Sequence, residues 1–511
     1  MLEAARLSEA GNAHLTAGRV EDAIAAQLQA AKLWPQSGAI QCNLGNALQA
    51  ARRTDAAAAA FLRAAELQPE IPESHNNLGA IWVEQGNAAE ALASLDRALK
   101  LRPAYGDAWY NRGNALVALA RDEEAEAAYR RALQALPKHV GARRNLAAQM
   151  NRRGNALVAA NRPGEALPAY REALAAEPEN PDLEYNEALA QLVRGDLAEG
   201  WDGYERRFEC QGKKGPRSFG FPRWDGKQSL SGKSIFVFAE QGLGDTLQFA
   251  RYLPMLAERG ARVELEAQPA LHSLLRASFP ELASLSGKGD PVPVADFHLP
   301  LLSLPAAFGT TLETVPAPMS YLQAPPDGLD RWQGRLGPDG ALRVGLVWSG
   351  AAGHQNDHNR SISLGKLAEA LFEVPGAGVS APGYRSHVRW FCVQKDVREA
   401  DQAELAARSE IRWLGPELGD FGDTAAAIAQ MDLVISVDTS VAHLSAALGK
   451  STWILLPFSP DWRWLLERED SPWYPTVRLF RQPAPGDWAS ALGRVRVALG
   501  EWKRRPAASS A

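Results

Sequence analysis

Four polar stretches carry side chains suited to holding, or reacting beside, a phosphorylated substrate. The first is the turn 438–443 in DLVISVDTSVAHLSAAL. Leu433, Val434, Ile435 and Val437 make the short β-branched run of a buried parallel strand. Asp438, Thr439 and Ser440 are N-cap residue types, and Val441, Leu444 and Leu448 mark one face of a helix. A strand that turns through caps into a helix offers free N–H groups and a positive dipole end to an anion. His443, one turn in and off the apolar stripe, adds a donor. The same residues also describe an ordinary βα turn closed by a capping Asp.

The second stretch is GLGDT, residues 242–246. Gly242 and Gly244 permit a tight turn and close backbone approach, and Thr246 adds a hydroxyl. Asp245 is placed either to accept a proton or simply to cap a helix. The third glycine place of the dinucleotide fingerprint holds Leu247, which argues against nicotinamide binding. The third stretch, 349–361, gathers His354, His358 and Arg360 after a strand, a set able to contact phosphate. Metal ligation is not expected there, because both histidines sit on loop rather than on rigid elements. The fourth is Lys395, a point charge at a strand exit. Neither a Walker sequence nor a serine nucleophile elbow is present.

Strands must carry these loops. SIFVFAE, RVELEAQ and DFHLPLLSL alternate with helical segments, and Pro254 predicts a break in the first of those helices. After a Pro- and Gly-rich stretch, 325–340, read as a hinge, RVGLVWSG, VRWFCVQK, IRWLG, the 433–437 run and STWILLP continue the alternation. Residues 488–503 end it as a helix. Such alternation predicts parallel α/β sheets, here two Rossmann-like domains over 232–325 and 340–505. Ligands of such sheets lie beyond the C-terminal strand ends, where all four polar stretches fall.

Upstream the period is different. Gly11, Gly45, Gly79 and Gly113 are 34 apart, and Pro35, Pro69, Pro103 and Pro137 keep that step. Gly154 comes 41 after Gly113, which marks a seven-residue insertion, and a sixth, degenerate unit runs to about Phe208 with Ala188 and Tyr204 in the small and aromatic places. The period is that of the tetratricopeptide repeat, so 1–208 is expected to be an α-solenoid of about six repeats. Asn43, Asn46, Asn76, Asn77, Asn111 and Asn114 recur on the first helices, either as an amide ladder facing a groove or as solvated surface. Residues 209–231 read as a connector whose aromatics pack onto something.

The totals set the class. At 511 residues, 46% hydrophobic and 23% charged, the chain is that of a multidomain globular protein. A net charge of -5 gives no basic face for nucleic acid. Three scattered cysteines form neither a disulfide framework nor a zinc spacing. No membrane span or leader is expected, which makes the cytoplasm the default compartment.

With GLGDT in the first α/β domain and DTSVAH in the second, residues 232–505 resemble the bacterial heptosyltransferases, glycosyltransferase family 9. The whole chain resembles bacterial tetratricopeptide-repeat proteins carrying such a domain. The resemblance implies a GT-B arrangement with a terminal helix crossing back onto the first domain, and a metal-independent transferase with no cofactor besides its nucleotide-diphosphate sugar. Asp245 corresponds to the family's base, and Asp438, Thr439 and His443 to its donor-diphosphate turn, with Lys395 beside it. Ser440 stands where the heptosyltransferases have Gly. The expected partners are a nucleotide sugar and a protein or glycan acceptor presented by the repeat groove. The alternative is a non-catalytic repeat scaffold with a degenerate nucleotide-sugar-binding domain.

Overall fold

The computed structural model describes residues 1–213, 215–337, 341–353, 356–372 and 388–502. Contacts divide the chain into two compact units, Met1–Asn155 with Pro168–Leu183, and Ala156–Leu167 with Glu184–Ala511.

The first unit is built from antiparallel helix pairs: Leu2–Thr16 with Val20–Leu33, Gly38–Ala50 with Thr54–Leu67, Pro72–Glu84 with Ala88–Leu101, and Gly106–Ala118 with Asp122–Ala135. The recurrent glycine has a steric cause. A Cβ at Gly45 would lie 2.6 Å from the Phe61 ring, at Gly79 2.5 Å from Leu95, and at Gly113 2.4 Å from the Tyr129 ring, so each pair closes only over a bare backbone. Just past the end of each first helix the chain turns left-handed, at Gly18, Arg52, Gly86, Ala120, Asn161 and Gly195, which keeps the repeat frame through the insertion. The inserted seven residues lengthen one helix: Val140–Ala159 has 20 residues where its counterparts have 13. The recurrent asparagines form a ladder of amides bonded from repeat to repeat rather than a solvated face. Asn77 donates to Asn46 at 2.8 Å, Asn111 to Asn76 at 3.0 Å and Asn145 to Asn114 at 2.7 Å, so they tie successive repeats together.

The second unit holds two all-parallel sheets. The first has β1 (Ser234–Phe238), β2 (Arg262–Glu266), β3 (Ser284–Ser286) and β4 (Phe297–Pro300) in the order β3-β2-β1-β4. The second has β5 (Leu342–Val347), β6 (Val388–Cys392), β7 (Ile411–Trp413), β8 (Leu433–Val437), β9 (Thr452–Leu456) and β10 (Val477–Arg481) in the order β10-β9-β8-β5-β6-β7. That is the dinucleotide-fold order, with β5 and β8 adjacent at the reversal of winding. β1, β5, β8 and β9 are near-continuous apolar runs because both faces are covered. The fold class expected from the alternation is therefore found, with β3 and β10 added.

The helix expected to break at Pro254 does so: Leu243–Phe249 passes through a tighter turn into Leu253–Glu258. Two expectations are corrected. The stretch read as a hinge carries a helix, Pro326–Trp332, which buries Trp332 and sets Gly328 close against Ala426. The terminal helix Trp488–Trp502 does not cross back to the first sheet. It packs Ala491, Leu492 and Val495 with Leu367, Leu371 and Phe480 in the second domain's own core.

Helices Pro181–Arg194 and Leu197–Tyr204, the degenerate sixth repeat, belong by contact to the second unit from Glu184 onward. Trp201 donates its Nε1–H to the Thr310 carbonyl at 2.7 Å, and Trp201 and Tyr204 both meet Trp462 edge-on. These residues share one core with Ile235, Leu265 and Ile454. In the connector, Phe219 stacks on Phe221 and meets Phe236 and Phe238, while Trp224 is buried. No helix among the described residues is long and apolar enough to cross a membrane.

Candidate functional site

The reversal of winding between β5 and β8 leaves a crevice at their C-terminal ends. Loops after β1, β5, β6, β8 and β9 converge there around a cavity of about 770 Å³. It brings together Gly242, Gly244 and Asp245 from the first α/β domain with Arg360, Lys395, Asp438, Thr439, Ser440 and His443 from the second.

The β8 turn has the expected form. Thr439 is extended (φ -143°, ψ 170°) and begins the helix Ser440–Ala447. Its hydroxyl does not cap that helix but lies 3.2 Å from Ser436 Oγ, so the N-cap side chain leaves the first-turn N–H groups open. The helix Leu243–Phe249 abuts this one closely. A Cβ on Gly244 would come within 3.0 Å of His443 Cδ2 and 3.5 Å of Ser440 Cα, which explains the second glycine of GLGDT.

His443 is buried, stacks on Trp464 with ring centroids 5.2 Å apart, and has Nδ1 2.9 Å from Tyr474 Oη. Burial, helped by Arg463, Arg251 and Arg360, holds its pKa well below 6.5, so the ring is neutral. Arg251 fixes Tyr474 in turn: its guanidinium lies over that ring at 4.5 Å and donates to Tyr321 Oη at 3.0 Å. Asp438 Oδ1 is 3.8 Å from His443 Nε2. Burial, then the Asp461 carboxylate, push Asp438 up to about 6, against the pull of Arg360 and Arg463.

Asp245 is engaged on both oxygens. Oδ2 accepts the Gly242 N–H at 2.8 Å, and Oδ1 accepts from Arg463. Glycine has no side chain to reciprocate, so only the Asp245 half of a capping box exists. Arg463 also pairs with Asp461 at 2.8 Å. Burial opposes its charge, but Asp461 and Asp245 outweigh that and hold the guanidinium above its ordinary value.

The other cations keep their charge less committed. Arg360 donates to the Asp438 carbonyl at 2.9 Å, with Asp357 a looser neighbour at 3.8 Å, and Lys395 donates to the Gly419 carbonyl. Behind them Gln394 ties the β6 exit to the β5 exit by accepting from Ser349 N at 3.0 Å. Two of the expected contact residues lie off the cavity lining. Thr246 is buried away from the cavity and donates to Gln268 at 2.9 Å, where it pins the loops after β1 and β2. His358 is exposed and lies off the cavity lining. His354 falls outside the described residues.

Arg463, Asp461 and Arg251 were missed by sequence reasoning. The signal for the first two was available: PFSPDWRW places an Asp and an Arg among tryptophans directly after a buried strand, where a solvated loop has no use for such bulk. Arg251 gives no such cue, since its role depends on Pro316, Tyr321 and Trp473 far along the chain.

Residues 42–103, 83–140 and 151–209 match the tetratricopeptide repeat, and residues 383–454 match glycosyltransferase family 9 (heptosyltransferase). Protein FlbA of Caulobacter vibrioides is 28% identical over 348 residues, covering 62% of this chain and 54% of that protein. The chain thus spans about half the length of this curated relative. Among solved structures, the MamA protein is 21% identical, covering 36% of this chain and 96% of its own with a TM-score of 0.30. YrrB, described as a TPR protein with an unusual peptide-binding site, is 19% identical over 37% of this chain and 93% of its own, with a TM-score of 0.31. The helix pairs themselves, and not these partial overlaps, carry the fold.

Proposed function

Because the chain joins tetratricopeptide repeats to a glycosyltransferase family 9 domain, we propose that it transfers a sugar from a nucleotide-diphosphate sugar to a protein or glycan acceptor presented by the repeats. The supporting observation is one space of about 770 Å³, in which the N-terminal turn of Ser440–Ala447, Arg360 and Lys395 face the loop that carries Asp245. In this reading the two α/β domains act as a GT-B pair. The diphosphate lies across the first-turn N–H groups of Ser440 and Val441, between Arg360 and Lys395. As the glycosidic bond breaks, charge grows on the leaving phosphate where those donors already point. Neutral His443 contributes an N–H, and the leaving group is met by these side chains without a metal. Asp245 accepts the proton of the attacking hydroxyl once Arg463 turns toward the donor.

Calorimetry with UDP, GDP and ADP tests the binding half, and hydrolysis of the matching nucleotide sugars tests the chemical half without an acceptor. The reading stands if one nucleotide binds and its sugar conjugate is hydrolysed. Binding without any hydrolysis favours a second reading, a repeat scaffold whose α/β half only binds. One observation speaks for that alternative: both Asp245 oxygens are already occupied.

A further inference from the structure

A second cavity, of about 240 Å³, adjoins the cleft, shares Ser459, Pro460, Asp461 and Arg463 with it, and is lined by Gln241 on the side of the loop after β1. Its remaining lining belongs to the same compact unit and is mostly apolar or aromatic: Tyr185, Leu189, Val193, Tyr204, Trp462 and Leu466. Tyr204 and Trp462 are core residues, and Tyr185, Leu189 and Leu466 pack against them half-buried, so the wall is rigid and built from the unit's own core. The residue closing the cavity from the repeat side is Asn161, in a left-handed turn (φ 57°). Asn161 Nδ2 donates to the Phe458 carbonyl, which ties this turn to the loop after β9.

Two polar groups beside the cavity are unmatched among the described residues. Asn161 Oδ1 has no hydrogen-bond donor, and Arg463 Nε, on a side chain 8% exposed, has no acceptor. Buried polar atoms left in that state ordinarily await a water or a ligand. One accepts and one donates, which are the two needs of a peptide backbone unit.

Position adds the rest. Gln241 precedes Gly242 directly, and Arg463 is bonded to Asp245, so the mouth of the cavity lies one side chain from the carboxylate. The volume is below the roughly 300 Å³ at which pockets begin to enclose whole small ligands. It matches a single side chain. An extended acceptor advances about 3.3 Å per residue, so a chain whose hydroxyl residue sits at Asp245 places a near neighbour here.

We propose that this cavity is an acceptor subsite for a peptide, receiving the apolar side chain of a residue within two places of the one that bears the accepting hydroxyl. The proposal rests on the transferase reading above and makes it more specific: the acceptor is a polypeptide, chosen partly by an apolar flank.

The test uses the full chain, immobilised, and a library of 12-residue peptides with a central Ser and each of the two residues on either side varied among Ala, Leu, Phe, Asp and Lys. Peptides with Leu or Phe at one flank position should be retained about tenfold better than those with Asp or Lys there. Leu189→Trp fills the cavity and should erase that difference. Leu189→Ala widens it and should shift the preference from Leu toward Phe, and it remains informative if the Trp variant misfolds. Absence of any flank preference in the wild type, or its persistence in Leu189→Trp with unchanged preference in Leu189→Ala, overturns the subsite. Hydrolysis of UDP-N-acetylglucosamine, GDP-mannose and ADP-heptose is followed on the same wild-type protein. Hydrolysis without flank preference removes the subsite alone, whereas flank preference without hydrolysis counts against the transferase and leaves the peptide site standing.

Discussion

Arg463, on the loop after β9, donates across the cleft to Asp245 Oδ1, while Asp245 Oδ2 holds the Gly242 N–H. The carboxylate proposed as base is therefore tied to the second α/β domain. A donor diphosphate is a competing anion for the same guanidinium, so donor binding and release of the base are coupled. Asp245→Asn keeps an oxygen for the Gly242 N–H but loses the charge facing Arg463. The variant should melt lower, by the equivalent of about 1–3 kcal/mol. It should also bind nucleotide diphosphate more tightly, because Arg463 is released, and hydrolyse nucleotide sugar two to four powers of ten more slowly. Turnover within threefold of the wild type would remove Asp245 from the chemistry.

Asp438 gives the cleft a pH dependence. Burial and Asp461 raise its carboxyl from the ordinary 3.8 to about 6. Above that value it is ionised and repels a diphosphate; as pH falls through about 6 it takes a proton and the repulsion goes. Nucleotide-sugar affinity should rise several-fold between pH 7.5 and pH 5, and Asp438→Asn should flatten the profile. Stability follows the matching sign. The folded chain holds this proton more tightly than the unfolded chain, so Asp438 costs nothing below pH 4, costs increasingly more toward pH 6 and stays constant above. Asp438→Asn should thus melt higher than the wild type at pH 7 and no higher at pH 4. A gain that persists at pH 4 would assign the effect to something other than this ionisation.

His443 acts in the opposite direction. Its ring is kept neutral when folded, whereas the unfolded chain takes up a proton as pH falls through 6.5. The folded state therefore loses stability on the acid side of 6.5. His443→Gln lacks that loss, so its melting temperature relative to wild type should improve from pH 7 to pH 5. As a neutral donor in the proposed site, His443 should contribute about 1 kcal/mol to diphosphate binding, less than a charged histidine would. Calorimetry on His443→Ala that shows a loss beyond about 3 kcal/mol would mean that the ring is charged in the complex.

Local patterns in the chain were enough for most of the elements and for the β8 turn, though not for β3, β10 or the helix Pro326–Trp332. Each 34-residue repeat carries a glycine that meets a side chain sixteen residues later, and the β8 turn follows from an apolar run ending in caps. What escaped was set by distance. Thr246 sits inside a motif that faces the cleft, yet its side chain turns to Gln268 because the loop after β2 needs an anchor. Arg463 is 218 residues from Asp245, and although PFSPDWRW marks Arg463 itself, nothing local names Asp245 as its partner. The terminal helix has the same apolar stripe whichever domain it covers; the free face beside Leu367 and Phe480 decides the outcome.

The repeat boundary at 208 is the last point a measurement can decide. Helix Leu197–Tyr204 carries the degenerate end of the repeat pattern, but its large side chains serve the second unit's core: Trp201 and Tyr204 are buried there, and Trp201 Nε1 donates to the Thr310 carbonyl. A fragment ending at 208 lacks Thr310, Trp462 and Phe249. Without them the helix has eight residues, too few to hold itself in water. The fragment 1–208 should therefore melt cooperatively through its four leading helix pairs while 197–208 stays frayed. Amide hydrogen exchange reads this directly, with protection over 38–135 in the fragment close to that of the full chain and protection over 197–204 present only in the full chain. In the full chain Trp201→Ala should cost about 3–5 kcal/mol, as removal of a buried tryptophan does. In the fragment it should cost almost nothing. Equal costs in both would return the sixth repeat to the solenoid.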